Sequence, residues 1–146
     1  MKSFSDLLAI ERQLCLSIEL DAITDNGVPR AGIFVNDSCL LNTWLDSPIT
    51  VSYSAHLLDP INIRITMNNK DYNADRETAV IIRSILVDNI ELIPKFDYLA
   101  EYINDHDNNN PTSYLGFNGT WIFDINQPFY RWLHEHTGQG WLLTPG

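Results

Sequence analysis

Between Leu14 and Leu20 the chain alternates without a break. Leu14, Leu16, Ile18 and Leu20 are apolar, and Cys15, Ser17 and Glu19 lie between them. A period of two marks a strand with one buried face. The same alternation places Ile49, Val51 and Tyr53 together in Ile49–Ala55. It places Ile61, Ile63, Ile65 and Met67 together in Ile61–Met67, with Arg64 expected in solvent or paired. Ala79–Val87 is rich in β-branched residues and more continuously apolar, which predicts a central strand. Shorter strands are predicted at Ile33–Asn36, Ile90–Leu92 and Thr120–Ile125. Short strands broken by turn residues such as "DNGVPRAG" predict an all-β fold. The expected architecture is a jelly-roll-like β-sandwich of two antiparallel sheets with one or two short helices. It is expected to form a single domain over residues 1–146.

Three segments read as helical. "SFSDLLAIERQ" offers one or two turns near the N-terminus. In "PKFDYLAEYIN", Phe96, Leu99, Ala100 and Ile103 recur at helical spacing behind Pro94, a suitable helix start. In "QPFYRWLHEHTG", Phe129, Trp132, Leu133 and His136 do the same, although this stretch also passes as a strand. The tail "GQGWLL" is expected to be ordered, with Trp141 packed on the body.

Composition narrows the choices. Hydrophobic residues make up 45% and charged residues 19%, which excludes a disordered chain. The formal net charge of −10 argues against nucleic acid as a partner, because phosphate binding needs a basic face. No apolar run is long enough to cross a bilayer, so membrane insertion is not expected. "MKSFSDLLAIERQ" has neither a continuous apolar core nor a small-residue cleavage site, so no signal peptide is read there. Cys15 and Cys39 are read as free thiols, since spacing alone cannot establish disulfide geometry.

The candidate chemistry concentrates in the stretch from Asn69 to Glu77, "NKDYNADRE". Asn69, Asp71, Asn73 and Asp75 alternate, and alternate side chains of a looping backbone can converge on one point. Calcium takes six to eight hard oxygen ligands in flexible geometry, which four such side chains begin to supply. The alternative is a polar loop whose Asn and Asp make local turns. An EF-hand is excluded, since the loop lacks its sixth-position Gly and twelfth-position Glu. Asp105, Asp107 and Asn109 form a second alternating set, with a solvated loop as the plainer reading. His134 and His136 would share a face if extended, as a metal pair requires, with surface histidines as the alternative. Tyr98, Tyr102, Tyr114, Phe117, Trp121, Trp132 and Trp141 crowd the last third of the chain. They read as core, against the alternative of a sugar-stacking surface. Tyr72 differs, sitting in the polar loop itself, and is expected to be exposed. No nucleophile elbow, P-loop or dinucleotide fingerprint is present, which makes an enzyme the least favoured class.

The run "INIRITMNNKDYNADRETAVIIRSILVDNIEL" resembles the hairpin of the calcium-dependent xylan-binding carbohydrate modules. "ITMNNKDYN" is similar to their strand and Asn-Asp turn with a Tyr, "DRE" to their Asp-Arg element, and "SILVDNIEL" to their final strand and turn. "GIFVNDSCL" also resembles an earlier strand, so the likeness covers about Ile33 to Leu92. It implies non-catalytic binding of a polysaccharide or cell-surface glycan, with calcium as cofactor. It implies Asp71 and Asp75, with Asn69 and Glu77, as metal ligands. It places Tyr72 as a sugar platform beside Asn73 and Arg76. The whole chain also resembles small uncharacterised proteins of marine tailed phages. That implies, as the alternative, a structural or host-contact protein of a virion, binding other virion proteins or itself.

Overall fold

The alternating stretches pair into two antiparallel sheets. A computed structural model describes residues 13–25, 27–56, 58–68, 78–93, 95–104, 113–115, 118–126 and 128–137. Strands β1 (Gln13–Thr24), β4 (Ile49–His56), β6 (Thr78–Val87), β7 (Ile90–Ile93) and β9 (Tyr114–Leu115) form sheet A. Its order is β4-β1-β6-β7, with β9 also on β6. Strands β2 (Arg30–Val35), β3 (Ser38–Trp44), β5 (Ile61–Asn68), β8 (Glu101–Asn104) and β10 (Gly119–Ile125) form sheet B, in the order β3-β2-β5-β10-β8. The protein is an all-β, jelly-roll-like sandwich with one short helix among the described residues, α1 (Phe129–Thr137).

The core is what the alternation predicts. Leu14, Leu16, Ile18 and Leu20 of β1 and Ile61, Ile63, Ile65 and Met67 of β5 are all fully buried. With Val80, Ile82, Ile85 and Val87 of β6 they form one apolar cluster between the sheets. Arg64, between two buried isoleucines, points outward and pairs with Asp124. The near-continuous apolar run of β6 has a specific cause. Glu19 pairs with Ser84 but Leu20 pairs with Ile82, so Arg83 is an extra residue, a β-bulge. The inward set therefore changes phase, from Val80 and Ile82 to Ile85 and Val87.

Two hairpins turn on residue pairs with positive φ at both positions. Asn36 and Asp37 (49° and 69°) join β2 to β3, and Asp88 and Asn89 (50° and 65°) join β6 to β7. Such turns match the right-handed strand twist, and Asn and Asp tolerate the conformation. The side chain of Asn36 also clips this turn to β5: its Oδ1 accepts from the Asn62 backbone N–H at 2.8 Å. Cys15 and Cys39 are free and exposed, on strands of different sheets.

Two elements differ from the expectation or complete it. The helix predicted over Pro94–Asn104 is not formed. Asp97–Leu99 makes a single 3-10 turn, and Glu101–Asn104 becomes the edge strand β8. Pairing with β10 satisfies that backbone and divides the supposed apolar stripe. Phe96 and Ala100 are buried, whereas Leu99 and Ile103 are exposed. Residues 129–137, open between helix and strand, are helical. Phe129, Trp132 and Leu133 are buried. The Trp132 ring meets Phe96 at 5.3 Å and Phe123 at 5.8 Å between centroids. The tail beginning at Gly138, with Trp141, and residues 1–12 lie outside the described residues.

Candidate functional site

The stretch from Asn69 to Glu77 carries every residue expected to bind calcium or sugar: Asn69, Asp71, Tyr72, Asn73, Asp75, Arg76 and Glu77. All of it lies outside the described residues, as do Asp105, Asp107 and Asn109. Its surroundings are described. Asn68 ends β5 in sheet B, paired with Arg30, and Thr78 begins β6 in sheet A, paired with Thr24. The flanking strands therefore do not form a hairpin; the connection runs from one sheet to the other. A two-residue turn cannot make that journey, because packed sheets lie about 10 Å apart. Part of the loop's length is thus topological.

How much is excess can be read from a neighbour. The β1–β2 connection joins the same two sheets at the same end, since Thr24 pairs with Thr78 and Arg30 with Asn68. It needs five residues, 25–29, where the β5–β6 connection has nine, 69–77. Four residues exceed what the crossing demands, and they fall in the segment dense in Asn and Asp. The shorter crossing is tightly made. Gly27, at φ 113°, donates its N–H to the Thr24 carbonyl at 3.2 Å. Its own carbonyl accepts from the Thr78 hydroxyl at 3.5 Å, and Thr78 is fully buried.

The strand register gathers other groups at this end. Trp44, Arg30 and Asn68 form a row across β3, β2 and β5. Trp44 is 52% exposed, a large aromatic surface left in solvent. The Arg30 guanidinium carbon lies 5.4 Å from the centre of its ring, within cation–π range. Asn104, the last residue of β8, pairs with Gly119 at the start of β10, next to Met67 of β5. The segment holding Asp105 and Asp107 therefore leaves the sandwich at the end where the Asn69–Glu77 segment does. Spacing along the chain could not place Asn68 and Asn104, from which the two acidic segments start, at the same end of sheet B; strand order does. Trp44 was also missed, because no alternation marks β3 strongly enough to predict a strand.

The other candidates separate. On a helix, His134 and His136 are two positions apart and diverge, so they do not form a metal pair. His136 instead lies against Trp132, ring centroids 4.6 Å apart. Among the described residues no cluster of three or more His, Cys, Asp or Glu is arranged to hold a metal. Of the late aromatics, Trp121, Tyr102 and Trp132 are core, while Tyr98 and Tyr114 are exposed at 57% and 40%. Phe117 and Trp141 lie outside the described residues.

No protein-family model matches the sequence, and no curated protein matches it. Two solved structures share the fold. One is vCBM60 in complex with galactobiose, at 12% identity and a TM-score of 0.51, covering 77% of this chain and 97% of that one. The other is a selenomethionine form of vCBM60, also at 12% identity and a TM-score of 0.51, covering 78% and 91%. It is described in connection with two families of calcium-dependent carbohydrate binding modules linked by circular permutation. The chain therefore shares its β-sandwich fold with these structures.

Proposed function

We propose that this protein is a non-catalytic glycan-binding module whose site lies at the sandwich end carrying the Asn69–Glu77 segment. The observation that carries the reading is the nine-residue crossing beside a five-residue crossing of the same sheets. The excess is acidic and amide-rich, as a site for a hard cation would be. Asp71 and Asp75 are the principal calcium ligands in this reading, with Asn69 and Glu77 contributing. Tyr72, Asn73 and Arg76 contact the sugar. Calcium would neutralise the clustered carboxylates and offer coordination positions to sugar hydroxyls. Exposed Trp44, held by Arg30, adds a flat apolar face nearby for the C–H side of a sugar ring. The likeness to a module in complex with galactobiose supports the ligand class.

The test is a thermal melt in calcium and in chelator, repeated with galactobiose, xylan and a wider polysaccharide panel. A hundredfold excess of calcium over its Kd stabilises the folded state by about 2.7 kcal/mol. At about 2–4 °C per kcal/mol, the melting temperature rises by roughly 5–10 °C. Asp71→Ala or Asp75→Ala erases the rise and slightly stabilises the metal-free form, by relieving repulsion between carboxylates. Identical melts in calcium and chelator, with no polysaccharide retained, would instead favour a structural or host-contact role in a virion.

A further inference from the structure

The edge strands of the two sheets are not alike. An edge presents unpaired backbone N–H and C=O groups, and shortness, charge or a bulge keeps them from pairing with another chain. β7 and β8 have four residues each, with an exposed glutamate, Glu91 or Glu101. β9 has two residues. β3 is longer but bulged: Ile33 pairs with Leu41 and Phe34 with Cys39, so Leu40 is an extra residue. β4 has none of these devices. Its eight residues, ITVSYSAH, include no Asp, Glu, Lys, Arg or Pro. Its register against β1 runs unbroken from Ile49 to Gln13's partner His56. Among the described residues no strand pairs with its other side.

The inward row of β4 is also incompletely covered. Leu20, Ile18 and Leu16 of β1 are fully buried, yet Ile49, Val51 and Tyr53, directly opposite them, are only half-buried. The strand is moreover complementary to itself. Two antiparallel β4 strands related by a two-fold axis at Ser52 set Val51 against the partner's Tyr53 and Ile49 against the partner's Ala55, all on the core side. Thr50 meets the partner's Ser54 on the outer side. Apolar pairs and hydroxyl pairs of this kind stabilise antiparallel strands. No charges oppose each other in the pair, although the chain carries a net charge of −10. The two Glu19 carboxylates, one strand further out on each side, stand three strand spacings apart, at least about 14 Å. That exceeds the screening length of about 8 Å at physiological salt. A strand from another protein would have to match this pattern, whereas a second copy matches it by symmetry.

We propose that the free edge of β4 is a self-association site, where two copies of the chain join their A sheets into one continuous sheet about a two-fold axis at Ser52. The contact uses the same edge on both copies, so it closes at a dimer. It covers the half-buried Ile49, Val51 and Tyr53 with the partner's. The two Asn69–Glu77 crossings then face opposite ways, and the pairing does not depend on what they bind.

The experiment is sedimentation velocity of the full chain over a range of concentrations, in calcium and in EGTA. The expected result is a monomer–dimer equilibrium that is the same in both. Ser52 is exposed, so Ser52→Lys and Ser52→Glu should both fold, as far-UV circular dichroism would check. Each sets like charges face to face at the axis and should raise the dimer dissociation constant about fivefold or more. An equimolar mixture of the two variants should recover the dimer through a Lys–Glu pair. A monomer at every concentration would overturn the proposal and leave the edge to residues 1–12 or to a strand of another protein. A dimer formed only in calcium, a dimer unmoved by both substitutions, or no recovery in the mixture would overturn it too.

Discussion

Arg30 and Trp44 face each other across β2 and β3, the guanidinium carbon 5.4 Å from the centre of the indole ring. The contact orders a half-exposed tryptophan at the end of the sandwich from which the acidic crossing departs. Trp44→Ala should cost little stability, because the ring is 52% exposed. An exposed cation–π pair contributes about 0.5–1 kcal/mol. Its effect should appear in glycan retention on affinity gels, which should drop while the melting temperature moves by only a few degrees. Retention equal to the parent protein would remove Trp44 from the site.

Gly119 opens β10 where the edge strand β8 passes closest. A Cβ there would overlap the carbonyl oxygen of Ile103 and the Cα of Asn104, both backbone atoms that cannot rotate aside. Gly119→Ala should therefore destabilise by about 1–3 kcal/mol, the cost of overpacking. Because Gly119 pairs with Asn104, protection of the β8 amides in hydrogen exchange should fall first. Uniform loss of protection would show that the strain is not local.

Asp88 ties three elements together. Its Oδ1 accepts from the Cys15 backbone N–H at 2.9 Å, and its Oδ2 accepts from the Tyr130 hydroxyl at 3.2 Å. Its own N–H donates to the Cys15 carbonyl at 2.9 Å. Asp88→Ala removes both side-chain bonds and should cost about 1–3 kcal/mol, measured by urea unfolding. Tyr130→Phe removes only one of them and should cost less. The opposite order would mean that the α1 contact outweighs the turn.

Asp21 carries a pH signature. The side-chain hydrogen bond from Arg83 holds its carboxyl below the usual carboxylate value, helped by the backbone N–H of Ala22. A depressed folded-state pKa stabilises the fold above the ordinary value near 3.9 and loses that contribution as pH falls through the folded value. Asp21→Asn should lower the urea midpoint at pH 7, by a small amount for so exposed a pair. The gap from the parent should close below about pH 3.9. A gap that widened in acid would reverse the sign.

Ile63, fully buried in the middle of β5, tests the alternation itself. Ile63→Ala should cost about 2–5 kcal/mol. Thr66→Ala, on the outward side of the same strand, should cost far less. Comparable losses at both positions would mean that β5 is covered on both faces.

The inward faces of β1, β4, β5 and β10 were legible in the sequence because a period of two is a local property. Apolar side chains at alternate positions have only one way to leave water together on an extended backbone. The composition likewise determined that a core would form. Alternation could not anticipate the Arg83 bulge, because one extra residue erases the period that would announce it. Nor could it place β8, where helical spacing and strand pairing competed for the same residues. The tertiary structure decided for the strand, since β10 offers the backbone partners that an isolated helix would have to supply alone. Strand order also decided that the Asn69–Glu77 crossing joins two sheets and leaves the sandwich where the Asp105–Asn109 segment does. That juxtaposition depends on hydrogen-bonded pairing between distant residues, which local pattern does not encode. The acidic and amide residue types were therefore written in the chain, while the end of the sandwich at which Asn68 and Asn104 lead into them was settled by topology.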